Sequence, residues 1–359
     1  MNSLSTYGWT KELEEIWGSV NIPGTLPARV IADFGTSLKV ATPAIITAEL
    51  SGRLAHYAGR EHIPKVGDWV LVRISSNNNA VIESVLPRQT EIARKVAGKQ
   101  TTKQVLAANV DIAFVLLALD NDFSVDRVSR FLYQLSINAI RPVIVLNKAD
   151  KVEDINAYIS QLESFKLPII ATIATEGTGV AELLNFIPPG KTAVLLGSSG
   201  VGKSTLTNQL LGQEVQRTQT IRASDETGKH TTVHRELFIL PGGGLLIDMP
   251  GIRELQLWGS EETLNENFDD IVALAHDCKY SSCRHGNEEG CAIQKALNDG
   301  RLKRTHYTSF LKMKSELNGL QLRTVARIKQ DSAKSKRTAS RRQDTDALKE
   351  QRTDINERY

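Results

Sequence analysis

The octapeptide Gly197-Ser198-Ser199-Gly200-Val201-Gly202-Lys203-Ser204 constrains this chain more than any other stretch. It fits the pattern G-x-x-x-x-G-K-[ST] in the context that pattern needs, with an apolar run, Thr192 to Leu196, before it and a helix-forming stretch, Lys203 to Leu211, after it. Glycines let such a loop wrap so tightly that successive backbone N–H groups converge on phosphate oxygens. The N-terminus of the helix that follows adds its positive dipole. Lys203 is placed to neutralise β- and γ-phosphates, and the Ser204 hydroxyl to ligate Mg²⁺. The competing reading is a glycine-rich turn that matches by chance, and the strand and helix on either side argue against it.

A strand feeding such a loop belongs to a parallel sheet, and the chain has that rhythm from Val110 onward. Val110 to Leu119 is nearly unbroken apolar. Val125–Ile137 reads as a helix, Pro142–Leu146 as a strand and Ile155–Phe165 as a helix. Leu167–Ala171, Thr192–Leu196 and Gly244–Asp248 read as further buried strands. The preceding region differs. After an amphipathic helix over Thr10–Gly18, short β-prone runs start at Ala28, Ser37, Ala44, Asp68 and Ala80, separated by turn residues. Five such runs in so short a span predict a small barrel of the OB type, with a generic β-sandwich fragment as the alternative. At 359 residues the chain is too long for one ordinary domain.

The base-reading residues follow the strand Pro142–Leu146 directly, as Asn147-Lys148-Ala149-Asp150. N-K-x-D at a strand end is the guanine-reading motif of GTPases. The Asp150 carboxylate accepts from the ring N–H and exocyclic amine of guanine, and Asn147 contacts the ring edge. Adenine lacks those donors and would leave Asp150 desolvated and unpaired. The alternative is that four polar residues merely end a strand. Asp248-Met249-Pro250-Gly251 adds the D-x-x-G pattern, a carboxylate that reaches Mg²⁺ through water and a glycine amide that senses the γ-phosphate. Thr231 and Thr232 are candidates for the switch threonine that meets Mg²⁺. In ordinary GTPases the phosphate loop precedes the base-reading motif. This chain reverses that order, which describes a circular permutation, and its second switch leads straight into the next domain.

All three cysteines lie in Cys278-x4-Cys283-x-His285-x5-Cys291. Three thiolates and one imidazole suit a closed, structural zinc site, with three unrelated buried cysteines as the bland alternative. Clustered cysteines without a disulfide framework, and no secretory signal, lead to the expectation of a cytoplasmic protein. No apolar run reaches the length of a membrane span. From Arg301 onward 16 Lys and Arg stand against 7 Asp and Glu, a net of +9, which leaves the first 300 residues with 28 against 34, a net of −6. An acidic body with a basic end is the profile of a chain that meets a polyanion at one end. Arg323, Arg327, Lys329, Lys334, Lys336, Arg337, Arg341 and Arg342 are the tail candidates, a solubilising arm being the alternative. Trp69 is either an RNA-stacking aromatic or core packing.

Taken together, these motifs resemble the RsgA family of circularly permuted GTPases. The similarity covers nearly the whole chain: an OB-like barrel, a permuted P-loop GTPase domain with N-K-x-D, G-x-x-G-x-G-K-S-T and D-x-P-G, and a C-x4-C-x-H-x5-C zinc domain. It implies a multidomain α/β chain with boundaries at 1–90 for the helix and barrel, 91–258 for the GTPase domain, 259–322 for the helical zinc domain and 323–359 for the basic tail. It also implies a GTPase that binds the small ribosomal subunit and its rRNA, assists late maturation, and hydrolyses GTP slowly until the subunit stimulates it. GTP/GDP and other assembly factors are the further partners, one structural zinc and Mg with GTP the cofactors, and a monomer the simplest state. Carried over by motif, Asn147, Lys148, Ala149 and Asp150 hold the base, and Gly197 through Thr205 (Ser198, Ser199, Gly200, Val201, Gly202, Lys203, Ser204) with Gly251 hold the phosphates. Ser204, Thr232 and Asp248 attend Mg²⁺, and Cys278, Cys283, His285 and Cys291 hold zinc.

Two departures stand out. Thr172-Ile173-Ala174-Thr175 replaces the family's serine-bearing loop behind the guanine, and Met249 replaces a serine in D-S-P-G. Many GTPases place a water-orienting Gln after D-x-x-G. Ile252 stands there, so slow intrinsic hydrolysis is expected. Lys203 and His230 are the catalytic candidates. His230 matches a histidine by which the family is thought to position water, the alternative being a surface histidine ordered on the ribosome. Two rival functions are a GTP-dependent RNA-binding module without significant hydrolysis and a P-loop kinase or ATPase.

Overall fold

The computed structural model describes residues 4–320 and 322, apart from positions 21, 36, 58, 60, 61, 76–78, 96–102, 121, 215–234, 250–258, 287 and 321. His230, Thr231, Thr232, Gly251, Ile252 and the basic tail from Arg323 therefore lie outside the described residues.

The N-terminal helix α1 (Lys11–Val20) begins where the Thr10 hydroxyl accepts a hydrogen bond from the Leu13 amide at 3.4 Å and so caps the first turn. Five strands follow: β1 (Leu26–Asp33), β2 (Leu38–Ala41), β3 (Ile45–Leu50), β4 (Trp69–Ile74) and β5 (Asn79–Val85), with helix α2 (Gly52–Tyr57) between β3 and β4. β1 pairs β2, β2 pairs β3, β3 runs parallel to β5, β5 pairs β4, and β4 returns to β1. This closes a barrel in the order 1-2-3-5-4-1, the OB topology. Alternation along the strands sends Val30, Val40, Ala48, Val70, Val72 and Ile82 inward, all buried. Trp69 points the other way but not into solvent. It is 2% exposed, with the Trp9 ring edge-on at 4.8 Å, so it is core packing.

The sequence pattern gave no sign of the antiparallel hairpin of β6 (Glu91–Lys95) and β7 (Lys103–Ala108), which forms its own two-stranded sheet. Beyond it, six strands make the main sheet: β8 (Ile112–Ala118), β9 (Arg141–Asn147), β10 (Ile169–Thr172), β11 (Thr192–Leu196), β12 (Arg235–Ile239) and β13 (Leu245–Asp248). Their order is β10-β9-β8-β11-β13-β12, parallel through β13, with β12 antiparallel to it. Helices α3 (Val125–Ile137), α4 (Asn156–Leu162), α5 (Val180–Leu184) and α6 (Lys203–Leu211) flank the sheet. β8 and β11 are buried along their whole length, as expected of central strands covered on both faces.

Two devices join barrel and sheet. β12 pairs with β1 on its free edge, Glu236 opposite Ala32 and Arg235 opposite Asp33, so one strand serves both bodies. Arg29 lies fully buried between them. Its guanidinium donates to the Gly67 and Asn109 carbonyls at 3.2 and 3.1 Å, to the Thr192 hydroxyl at 2.9 Å and to the Tyr7 carbonyl, and its plane stands 5.1 Å from the Trp69 ring. Burial pushes its pKa down to about 10, well above neutrality, while Asp111 and Asp68 hold it up.

The C-terminal unit consists of α7 (Glu261–Asn267), α8 (Asp269–His276), α9 (Ala292–Asn298) and α10 (304–320) around Leu264, Phe268, Ile271, Ile293, Phe310 and Met313. Tyr133 of α3 joins this core, so the unit is seated on the sheet's own helix layer. Among the described residues no helix is long and apolar enough to cross a membrane.

Candidate nucleotide site and metal centre

The loops after β8, β9, β10 and β11 and the last residue of β13 gather at the carboxyl end of the sheet, where open α/β folds bind their ligands. β11 runs into Gly197, whose φ of +157° and a backbone oxygen, Leu116 O, only 2.7 Å from where a Cβ would stand exclude any side chain. The loop then opens into α6. Lys203 is 9% exposed, and its ammonium donates back to the Gly197 carbonyl at 2.9 Å and to that of Ser198. Burial pushes its pKa down to about 8, against the fields of Asp122 and Asp248. Asp248, at the end of β13, is pushed up by burial and held back by that ammonium and the Thr207 hydroxyl. The cation, a helix N-terminus and a desolvated carboxylate in the field of that cation form the set of groups that a magnesium-bound polyphosphate needs.

Asn147 brings the two motifs together. It is 2% exposed; its Nδ2 donates to the Val201 carbonyl of the phosphate loop at 2.7 Å. Its Oδ1 accepts from the Thr172 hydroxyl at 3.0 Å and the Ala174 amide at 3.1 Å. Both lone pairs of that oxygen are used, which leaves one N–H for the ring edge of a base. A Cβ at Gly202 would stand 2.2 Å from Asn147 Nδ2, and Gly202 sits at φ +98°, so the glycine is needed for this junction twice over. Above it lies a cavity of about 320 Å³ lined by Asp120, Asn147, Lys148, Asp150, Ala174 and Thr175, with Lys151, Gly202 and Thr205 completing the wall. Lys148 stands in the left-handed region at φ 61° and its ammonium meets Asp120 at 2.6 Å. Asp150 faces the cavity with its side chain 35% exposed and 3.1 Å from the Lys151 ammonium. The departure at 172–175 is now explained in part: Thr172 and the Ala174 amide hold Asn147, a task that needs no serine.

Of the residues singled out from sequence, Asn147 to Asp150, Gly197 to Thr205 and Asp248 converge at this end of the sheet. Thr232, Gly251 and His230 lie outside the described residues. Sequence reasoning missed Asp120 and Asp122. The signal available was two aspartates and a helix-capping Ser124 directly after a buried parallel strand, where ligand loops gather.

The family is settled by comparison with known proteins. The RsgA GTPase family model matches residues 85–258. A small ribosomal subunit biogenesis GTPase RsgA of Opitutus terrae is 40% identical over 328 residues, 88% of this chain and 89% of that protein. The chain belongs to the RsgA GTPase family. One from Leptospira interrogans is 39% identical over 89% of each chain. The crystal structure of YjeQ from Thermotoga maritima superposes with a TM-score of 0.61 at 26% identity, over 82% of this chain and 99% of that one. That of YloQ, a circularly permuted GTPase, shares the fold at TM-score 0.58 over 82% and 96%. As a member of this family the chain is a GTP hydrolase. Both the reversed motif order and the barrel belong to the shared fold.

The second centre is in the C-terminal unit. Ligand atoms of Cys278, Cys283, His285 and Cys291 all lie within 4.8 Å of one another. His285 Nδ1 is 3.5 Å from Cys278 Sγ and 3.7 Å from Cys291 Sγ, and those sulfurs are 4.0 Å apart. Around a tetrahedral zinc with bonds of about 2.0–2.3 Å, such atoms stand roughly 3.5–3.8 Å apart, so Cys278, His285 and Cys291 already hold that spacing and the four together close on the ion with a shift of about 1 Å at most. Backbone amides of His285, Ala292 and Gln294 point at Cys283, Cys278 and Cys291 at 3.4, 3.4 and 3.5 Å, an outer ring that stabilises thiolates. A Cys3His cluster that can hold one zinc is therefore in place.

Proposed function

We propose that this chain is a GTPase of small-ribosomal-subunit maturation: it binds the subunit and its rRNA, and turns over GTP slowly until the subunit stimulates it. One observation carries the GTP half of this reading. The Asn147 carboxamide ties the base-reading turn to the phosphate loop, so that a single ligand lying across Gly202 would reach Asp150 with its base and Lys203 with its phosphates. The ribosomal half rests on kinship with relatives whose names state small-subunit biogenesis.

In this reading Asp150 and Asn147 read the guanine while Lys148, braced by Asp120, covers its face. The amides of Gly197 to Thr205 surround the phosphates, and Lys203 leaves its two loop carbonyls for phosphate oxygens. Ser204, Asp248 and Thr232 would hold magnesium, which would supply neutralisation of the charge that builds on the phosphates. His230 positions the attacking water. With Ile252 where a glutamine would orient that water, the intrinsic rate is low. Zinc in the Cys278, Cys283, His285 and Cys291 cluster is structural, since four protein ligands leave no open position. Domain boundaries at 1–90, 91–258, 259–322 and 323–359 fit this division of labour, with the barrel, zinc unit and basic tail facing RNA and GDP, GTP and other assembly factors as further partners.

GTP turnover titrated with purified small subunits tests the proposal. The expected result is a saturable rise over a slow basal rate, lost in His230→Ala and unaffected by excess ATP. A flat titration with intact GTP binding would favour the non-hydrolysing RNA-binding module instead.

A further inference from the structure

The turn between β8 and α3 holds two carboxylates that the chemistry above does not use for the phosphates. Asp122 lies behind the phosphate loop. One carboxylate oxygen accepts from the Ser198 hydroxyl at 2.6 Å, and the other accepts from Arg127 at 2.5 Å. The same guanidinium nitrogen also donates to the Asp122 carbonyl at 2.9 Å. Ser198 is only 8% exposed, so its hydroxyl has little water to turn to. Asp120, two residues earlier, accepts the Asp122 amide at 3.1 Å with one oxygen and grips Lys148 with the other. This turn therefore touches the phosphate loop and the base-reading motif at once.

We propose that Asp122, braced by Arg127, is a positioning residue for GTP binding that fixes the phosphate loop from behind and ties it to α3, the helix on which the C-terminal unit is seated. A cradle of converging amides binds phosphate best when its backbone is already in place, since ordering it afterwards is subtracted from affinity. The Ser198–Asp122–Arg127 chain supplies that order through hydrogen bonds to a charged group. Arg127 sits in the first turn of α3, and the same helix carries four polar contacts to the C-terminal unit. Asp126 meets Lys312 at 3.1 Å, Arg130 meets Glu316 at 2.8 Å, Tyr133 donates to the Ser260 carbonyl at 2.9 Å, and Ser136 accepts from Asn267 at 2.7 Å. Positions 126, 130, 133 and 136 follow helical spacing along one stripe. A shift of the docked unit thus moves α3, and with it the brace on the loop.

This inference rests on residues 197–205 being the phosphate cradle, so the experiment separates the two. KM and kcat for GTP are measured on the full chain, alongside thermal unfolding. Lys203→Ala abolishes GTP binding if the cradle is correctly assigned; retained binding defeats that assignment. Asp122→Ala should raise KM roughly tenfold with kcat within about twofold, the scale of one lost charged hydrogen bond. Asp122→Asn, whose oxygen still accepts from Ser198, should recover most of that loss. Asp122→Ala combined with Ser198→Ala should do no more harm than either alone, because both break one contact. A merely structural role would lower the active fraction, and so apparent kcat, at constant KM, and that pattern overturns the proposal, as does an unchanged KM. Lys312→Ala with Glu316→Ala should shift KM in the wild-type background but not beside Asp122→Ala; equal shifts in both would sever the tie to α3.

Discussion

At Asp150 one exchange of oxygen for nitrogen reverses what the pocket asks of a base. The carboxylate offers only acceptors, and guanine answers with two donors. Asp150→Asn replaces one acceptor by a donor, which suits a base with a carbonyl where guanine has its amine. At about 1.5–3 kcal/mol for each hydrogen bond to a charged group, GTP affinity should fall about 100-fold or more, while xanthosine triphosphate becomes the better ligand. Competition binding with the two nucleotides reads this directly, and unchanged preference would remove Asp150 from the base site. Residue types at this scale are legible in sequence because spacing alone states them: N-K-x-D and G-x-x-x-x-G-K-S are local. Asp122 and the partners of Asn147 are not, because Thr172, Ala174 and Val201 meet that carboxamide only after three separate strands align.

Elements whose own pattern decides their state match the structure closely. Val125–Ile137 is a helix with a Ser124 cap, and Thr192–Leu196 and Lys203–Leu211 form β11 and α6 as read. β12 and the β6–β7 hairpin escape because their sequences alternate weakly and their stability comes from neighbours. β12 exists as the rung between β13 and β1. In the C-terminal unit, Cys291 belongs to the Cys3His cluster that can hold zinc and is also the N-cap of α9, its sulfur accepting the Gln294 amide. Chelating the metal should therefore fray α9 first: hydrogen exchange over 292–298 should quicken while GTP affinity stays within about twofold. Equal protection with and without chelator would show that the cluster does not need an ion. The same unit has an acid limit. Burial pushes the Asp270 carboxyl up, but the hydrogen bond and charge of His306 outweigh it and hold the carboxyl below its ordinary value. Its folded value lies under its unfolded one, so its stabilisation is complete above about pH 4 and is lost as pH falls through the folded value. Denaturant midpoints should decline below about pH 4 in the wild type and less steeply in Asp270→Asn. Parallel declines would assign the acid limit elsewhere.

For the whole molecule, Arg29 sets how many pieces unfold. Its guanidinium donates to carbonyls of the N-terminal turn, the barrel and the sheet, and to the Thr192 hydroxyl that starts the phosphate-loop strand. Arg29→Ala would take the donor from the buried Tyr7 and Asn109 carbonyls and the Thr192 hydroxyl, while the Gly67 carbonyl keeps the Asn109 side-chain amide at 3.0 Å, at a cost of about 3–5 kcal/mol. Calorimetry should show one cooperative transition for barrel and sheet in the wild type and a split in the variant; a single transition in both would mean that strand pairing alone unites them.

The shared strand has a further consequence for anyone who would work with the catalytic half by itself. Cut away the barrel, and β12 becomes a raw margin, its amides and carbonyls open to whatever chain drifts near. The barrel is thus also the hem of the enzyme, and a lineage that lost it would first have to invent another way to finish the sheet.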